Sequence, residues 1–210
     1  MLFEDRLEAG KLLAEKLKKY KNKEAIVLAI PRGGLEVGFQ ISKKLNIPLD
    51  IVITKKIGAP QNEELAIGAV GSKSIHLNED VILSLGISDE YIEKETQKLK
   101  KQIEERYKKY REDKPFSDLK NKIVIITDDG IATGATIIAA AKDVREQKPK
   151  KIVIASPVCS PEILPQIEKV ADEVFVLSTD LYMGAVGACY KYFPQVSDEE
   201  VMRFLWASKA

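Results

Sequence analysis

Four short apolar runs constrain this chain more than any other feature. AIVLAI (25–30), KIVIIT (122–127), KIVIAS (151–156) and EVFVLS (173–178) are each of strand length and do not alternate. A strand with one wet face alternates apolar and polar residues, whereas an unbroken apolar run suits a strand buried on both faces, as in a parallel sheet covered by helices. Between the runs the spacing turns helical. Leu35, Val37, Phe39, Ile41 and Leu45 predict a helix over 35–46, and further helices are expected over 134–147 and 161–171. Leu7, Leu13 and Leu17 form one stripe in a leading helix over 5–20. Pro48 opens a second strand, LDIVIT, and LAIGAVG (65–71) reads as another, with Gly68 marking a bulge or a close approach. Strands separated by helices give an α/β fold, a mainly parallel sheet flanked by helices, with ligands expected at the carboxyl edge of the strands.

With 210 residues, 45% of them hydrophobic, the chain is read as a single domain, 1–210, with enough apolar material for one core. No repeat or low-complexity linker interrupts it. Residues 88–114 differ from the rest: nine Lys or Arg alternate with eight Asp or Glu, and only Ile92, Leu99, Ile103 and Tyr107 form a stripe. Ser88 is a good N-cap, so a long, mostly exposed helix is predicted, ending near Pro115. Near the end, Ser197 and Glu200 have the spacing of a capping box before VMRFLW.

The net charge of +1 gives no basis for a nucleic-acid partner, and no apolar run approaches the ~18 residues of a membrane span. The first ten residues carry acidic side chains and lack the apolar core of a signal peptide. Cys159 and Cys189 are far apart, and His76 is the single histidine, so neither a zinc site nor a Cys–His catalyst is expected. The expectation is a cytoplasmic protein with two reduced, buried cysteines.

The chemistry concentrates in IVIITDDGIATGAT (123–136). A buried strand delivers Asp128 and Asp129 to its carboxyl end, followed by Gly130, Ile131, Ala132, Thr133, Gly134, Ala135 and Thr136 and then a helix. Unpaired amides at a helix N-terminus, beside a glycine and two threonine hydroxyls, make a phosphate cradle. Carboxylates next to it suit the hydroxyls of a sugar phosphate, met directly or through a divalent metal. No Gly-Lys-Ser/Thr is present, so this is not a Walker A loop, and it is not GxGxxG. Taken piece by piece, Asp-Asp-Gly also suits a simple turn, and Thr-Gly a helix cap.

Residues 123–136 resemble the signature of type I phosphoribosyltransferases, which bind phosphoribosyl pyrophosphate. The likeness extends along most of the chain. Pro31-Arg32-Gly33-Gly34, after the first run, is similar to the family's pyrophosphate loop, in which an unusual peptide turns its amides toward the diphosphate. Two glycines there are expected to permit a positive φ or a strained backbone. TKKIGAPQNEELAIGAVG (54–71) resembles a stretch found in an uncharacterised bacterial and archaeal subgroup, at the second strand and the start of a flexible loop. A flexible loop and long helix are therefore expected at about 56–114, with a variable hood at about 180–206.

The resemblance implies roles for these residues. Asp128 and Asp129 would hold the ribose hydroxyls and, directly or through them, magnesium. Residues Gly130 to Thr136 would line the ribose phosphate. Arg32, Gly33 and Gly34 would hold the leaving pyrophosphate, and Arg32 joins the two aspartates as a catalytic candidate. Lys55 and Lys56 would neutralise diphosphate charge, or are solvated surface lysines. The activity implied is magnesium-dependent transfer of the phosphoribosyl group to a nitrogen of a nucleobase or related heterocycle, by a homodimer. The alternative is a non-catalytic sensor of phosphoribosyl pyrophosphate on the same fold. Ala132 departs from the hypoxanthine-guanine enzymes, which carry aspartate there, and matches the adenine enzymes without establishing adenine. Tyr182, Tyr190, Tyr192 and Phe193 either stack on a planar base or pack the tail.

Overall fold

A computed structural model describes residues 2–112, 115–179 and 185–207, the side chain of Glu64 excepted. The four apolar runs become neighbouring parallel strands, β1 (Ala25–Ala29), β6 (Ile123–Thr127), β7 (Lys151–Val158) and β8 (Glu173–Ser178), and β2 (Leu49–Ile51) pairs on the far side of β1. The order is β2-β1-β6-β7-β8. Alternate side chains serve two layers. Val27, Ala29, Ile125, Val153 and Ala155 pack under α1 (Arg6–Lys16), α2 (Gly34–Leu45), α4 (Asp89–Arg111) and α7 (Asp198–Ala207). Ile26, Leu28, Val124, Ile126, Ile152 and Ile154 pack under α5 (Ala135–Arg145) and α6 (Leu164–Glu168). Burial on both faces of β1, β6 and β7 is what the missing alternation encodes, while β8, at the edge of the sheet, is half-buried.

Local signals set several helix ends. The Ser197 hydroxyl accepts from the Glu200 amide at 3.1 Å, and Glu200 accepts from the Ser197 amide at 2.8 Å, a reciprocal capping box opening α7. Ser88 caps α4 by accepting from the Tyr91 amide.

One expectation changes. Residues 55–77 are not an open loop but a second, antiparallel sheet of β3 (Lys55–Ala59), β4 (Asn62–Val70) and β5 (Ile75–Leu77). Its alternating Ile57, Ile67 and Val70 are buried in the main core. Asp143 on α5, 1% exposed, ties it down by accepting from the Ser72 and Ser74 hydroxyls at 3.0 and 2.8 Å and from the Lys73 amide at 3.0 Å. At Gly68 a Cβ would lie 2.5 Å from the His76 carbonyl, so the close approach expected there is present. Helix α4 is long and mostly exposed, as expected, and Ile92, Ile103 and Tyr107 of its narrow stripe, joined by Tyr110, are buried in the core. The Tyr107 hydroxyl accepts from the Ile53 amide, and Tyr110 donates to Asp198, so the narrow stripe is reinforced by polar contacts that hydropathy does not register. A short α3 (Glu79–Leu85) precedes it. Among the described residues no helix is long and apolar enough to cross a membrane.

Candidate active site at the switch point of the sheet

From β1 the chain moves outward to β2, and from β6 it moves the other way to β7, so the sheet changes direction between β1 and β6. Loops leaving two such strands diverge and open a crevice at their carboxyl ends. Ala29 pairs with Thr127, and the Ile30 amide donates to the Thr127 carbonyl at 2.9 Å, so both strands end level. Arg32-Gly33-Gly34 leaves one end and Asp128-Asp129 leaves the other.

The two loops touch. A Cβ on Gly33 would lie 2.0 Å from Asp129 Oδ2, and one on Gly34 would lie 3.0 Å from the Asp128 Cα. Gly33 has φ −60 and ψ −35, and neither it nor Gly34 has a positive φ. The glycines therefore serve close approach and not a positive φ, while the unusual peptide expected in this loop is present next to them. The Pro31–Arg32 peptide is cis. The Arg32 side chain is 40% exposed, with its Nη1 3.9 Å from Asp198 Oδ1.

Asp128 Oδ1 accepts from the Asp129 amide at 2.9 Å. Burial, and after it the charge of Asp129, raises the Asp128 carboxyl well above the ordinary carboxylate range. Asp129 is held from the other side, where Arg6 Nε donates to its Oδ2 at 2.8 Å. Arg6 was not legible as a site residue, since it lies 123 positions away on α1 and nothing in its neighbourhood marks it.

Beyond the carboxylates, Gly130 is pressed against the tail, where a Cβ would meet Val186 at 2.4 Å. Ile131 is buried and stitched to the end of β7, its amide donating to Val158 at 2.9 Å and its carbonyl accepting from Ser160 at 2.8 Å. Ala132 is half-buried, and the side chains of Thr133 and Thr136 are exposed. Gly134 has φ +73, a left-handed conformation that favours glycine, and it caps α5 without a side chain. The first amides of an eleven-residue helix are thereby presented beside the two threonines, as an anion site requires. The Thr54 hydroxyl donates to the Thr136 carbonyl at 3.1 Å, joining the β2–β3 link to the first turn of α5.

The lysine pair divides. Cross-strand partners project to the same side of a sheet, so Lys56, Ala69 and His76 share one face. Ala69 and His76 line a cavity of about 190 Å³ against Ala135, Ile138 and Ala139 of α5, which places Lys56 on the side of the α5 N-terminus. Lys55 points the opposite way and donates to Gln102 of α4 at 2.7 Å. Burial, with Arg106 and Lys98 nearby, pushes its pKa down.

The aromatic tail is mostly packing. Tyr190 is buried, 5.5 Å from the Phe3 ring and stacked on Phe193 at 5.0 Å, and its hydroxyl donates to the Asp129 carbonyl at 2.5 Å. Tyr192 is 66% exposed, and Tyr182 lies outside the described residues. Tyr190→Phe is expected to cost about 1 kcal/mol of stability, the net value of one hydrogen bond, measurable by denaturant unfolding. Cys159 and Cys189 are buried free thiols.

Comparison with known proteins agrees with this geometry. A Mycobacterium tuberculosis (strain H37Rv) protein named "Putative phosphoribosyl transferase" is 38% identical over 205 residues, 97% of this chain and 46% of the relative. The chain thus spans about half the length of the curated relatives it matches. The crystal structure of the protein TT1426 from Thermus thermophilus superposes with a TM-score of 0.86 at 37% identity, covering 99% of both chains. Residues 4–192 match the phosphoribosyl transferase domain, and with that span and the crevice between β1 and β6 in agreement, the chain belongs to the phosphoribosyl transferase domain family.

Proposed function

We propose that the protein transfers the 5-phosphoribosyl group of phosphoribosyl pyrophosphate to a ring nitrogen of a nucleobase or similar heterocycle, releasing pyrophosphate. The observation that carries this reading is the meeting of Gly33 and Gly34 with Asp128 and Asp129 at the switch point, next to the uncapped start of α5. The start of α5, with Thr133 and Thr136, takes the ribose 5-phosphate. Asp128 and Asp129 accept from the ribose hydroxyls. Arg32, nearly half exposed, faces the diphosphate, with Lys56 as a second cation and Lys55 committed to α4.

In the reaction, the bond from the anomeric carbon to the pyrophosphate oxygen breaks, with its electron pair leaving on oxygen. The acceptor nitrogen supplies the pair for the new bond and then loses its proton. Positive charge builds on the sugar ring as the bond loosens, and two carboxylates beside it favour that state. Ala132 offers no side chain to take the proton from the acceptor.

Among the described residues no group of three or more His, Cys, Asp or Glu forms a metal cage. That fits magnesium, which keeps its waters and binds through one or two carboxylates plus substrate oxygens. The donor set fits as well, since two adjacent carboxylates, one with its pKa raised by burial and then by the other's charge, want a cation. Asp128 and Asp129 would hold the ion, which would offset diphosphate charge when bound. The homodimer belongs to the same proposal, and sedimentation of the purified chain checks it.

The test is pyrophosphate release from phosphoribosyl pyrophosphate with and without magnesium, across purine, pyrimidine and nicotinate-like bases. Release that depends on both magnesium and a base is expected, falling roughly 10²–10³-fold in Asp129→Asn. Tight donor binding with no release for any base would instead make the protein a sensor. Absent donor binding would overturn both readings.

A further inference from the structure

We propose that Arg6 is a positioning residue for phosphoribosyl transfer, setting the Asp129 carboxylate from beneath and coupling it to the C-terminal tail; this rests on the function proposed above. Arg6 is 5% exposed, at the first position of α1. Its guanidinium is engaged through Nε and Nη1 and covered by an aromatic ring. Nε donates to Asp129 Oδ2 at 2.8 Å, Nη1 donates to the Pro194 carbonyl at 2.8 Å, and Glu36 of α2 lies 3.4 Å from Nη1. The Phe193 ring covers it, with 3.6 Å from Cζ to the ring centroid.

These contacts close a circuit. Phe193 stacks on Tyr190, and the Tyr190 hydroxyl returns to the Asp129 carbonyl. Asp129 is thus gripped at its side chain by Arg6 and at its backbone by Tyr190. The backbone places Arg6 equally firmly. The Phe3 amide donates to the Cys189 carbonyl, and the Lys191 and Tyr192 amides donate to the Phe3 and Glu4 carbonyls, each at 2.9 Å. The pyrophosphate loop joins the same knot, since a Cβ on Gly33 would lie 3.0 Å from Arg6 Nε.

A buried ion pair is weak as a stability device, because desolvation cancels most of the attraction. Its effect here is orientation. Arg6 anchors one carboxylate oxygen and so limits where the group can swing, and fixed charges aimed at a reacting centre need not reorganise during the reaction. A lysine has no planar guanidinium, so it restores charge without restoring the fork.

The experiment is a double-variant cycle on the full chain, combining Arg6→Gln with Asp129→Asn. The readouts are kcat, the KM for phosphoribosyl pyrophosphate, donor binding by calorimetry, and thermal unfolding. Arg6→Gln is expected to lower kcat on the order of 100-fold, the scale of a misplaced catalytic group. The KM should change far less. Arg6→Lys should recover roughly tenfold of the loss, and Arg6→Gln should add nothing in the Asp129→Asn background. An unchanged kcat in folded Arg6→Gln overturns the inference, as does an equal loss with and without the Asp129 carboxylate. If Arg6→Gln does not fold, Arg6→Lys carries the test, and wild-type kcat in that variant overturns it. Wild-type binding and turnover with no effect at Arg6 refute this inference alone, while a wild-type protein that does not bind the donor overturns the proposed function and this inference with it.

Discussion

Gly33→Ala is expected to leave the protein folded and to cost roughly 100-fold in kcat/KM for phosphoribosyl pyrophosphate. The backbone permits the change, because Gly33 sits at φ −60 and ψ −35, where alanine is comfortable. The obstacle is the space. The added methyl would fall 2.0 Å from Asp129 Oδ2, 2.7 Å from its Cγ and 3.0 Å from Arg6 Nε. The carboxylate can swing aside, so the fold survives, but swinging aside breaks its bond to Arg6 and turns it away from the crevice. Gly134→Ala makes a useful contrast, since φ +73 and Ile163 2.5 Å from its Cβ position put strain into the backbone itself. Thermal unfolding with steady-state kinetics separates the two. Gly33→Ala should move activity with little change in Tm, and Gly134→Ala should lower both. Undiminished kcat/KM in Gly33→Ala would show that catalysis does not depend on where the Asp129 carboxylate sits.

That contrast bears on what could be read from residues alone. The glycines of the pyrophosphate loop were visible, but their purpose was misassigned, because a sequence shows a missing side chain without showing what occupies its place. Features carried by neighbouring residues came through well. The buried strands follow from unbroken apolar runs, and the Ser197–Glu200 box from a three-residue spacing. The turn after β6 and the start of α5 likewise have all their parts within one segment. What failed was the interpretation of segments whose partners lie elsewhere. On either side of the strand expected at 65–71, the segments lack apolar runs, so they read as a flexible loop until Ile57 is set against the core and Asp143 against Ser72 and Ser74. Adjacent Lys55 and Lys56 look equivalent in a string, and only the strand register sends them to opposite faces. Arg6 reaches Asp129 across 123 residues, and no local pattern can encode that.

Asp128→Asn is expected to stabilise the unliganded protein by about 1–2 kcal/mol near neutral pH while lowering transfer activity roughly 10²–10³-fold. The native carboxyl is costly to ionise. Burial, with the Asp129 charge as the lesser cause, raises its pKa well above the ordinary value. In the unfolded chain the same group titrates near ~3.9. Below that pH both states hold the proton and the group makes no difference to stability. As pH rises, the unfolded state releases the proton first, so the native state binds more protons and stability falls with increasing pH. The fall continues until the native group also ionises, above which the whole penalty is in force. Asparagine removes the charge but keeps the acceptor oxygen that the Asp129 amide uses at 2.9 Å. The Tm advantage of Asp128→Asn should therefore be absent near pH ~3 and grow across the window from the ordinary carboxylate range up to the raised native pKa. A pH series of thermal melts on both proteins, without donor or magnesium, reads it directly. An equal Tm difference at every pH would mean the substitution acts through packing, and a lower Tm for Asp128→Asn at neutral pH would mean the charge is not a burden. The same charge is an asset once a donor and a cation arrive, since it then faces ribose hydroxyls and positive charge. A site that is destabilising when empty and inactive when neutralised is what a binding carboxylate pair should be, and a pair kept only for folding would show the reverse sign in the melts.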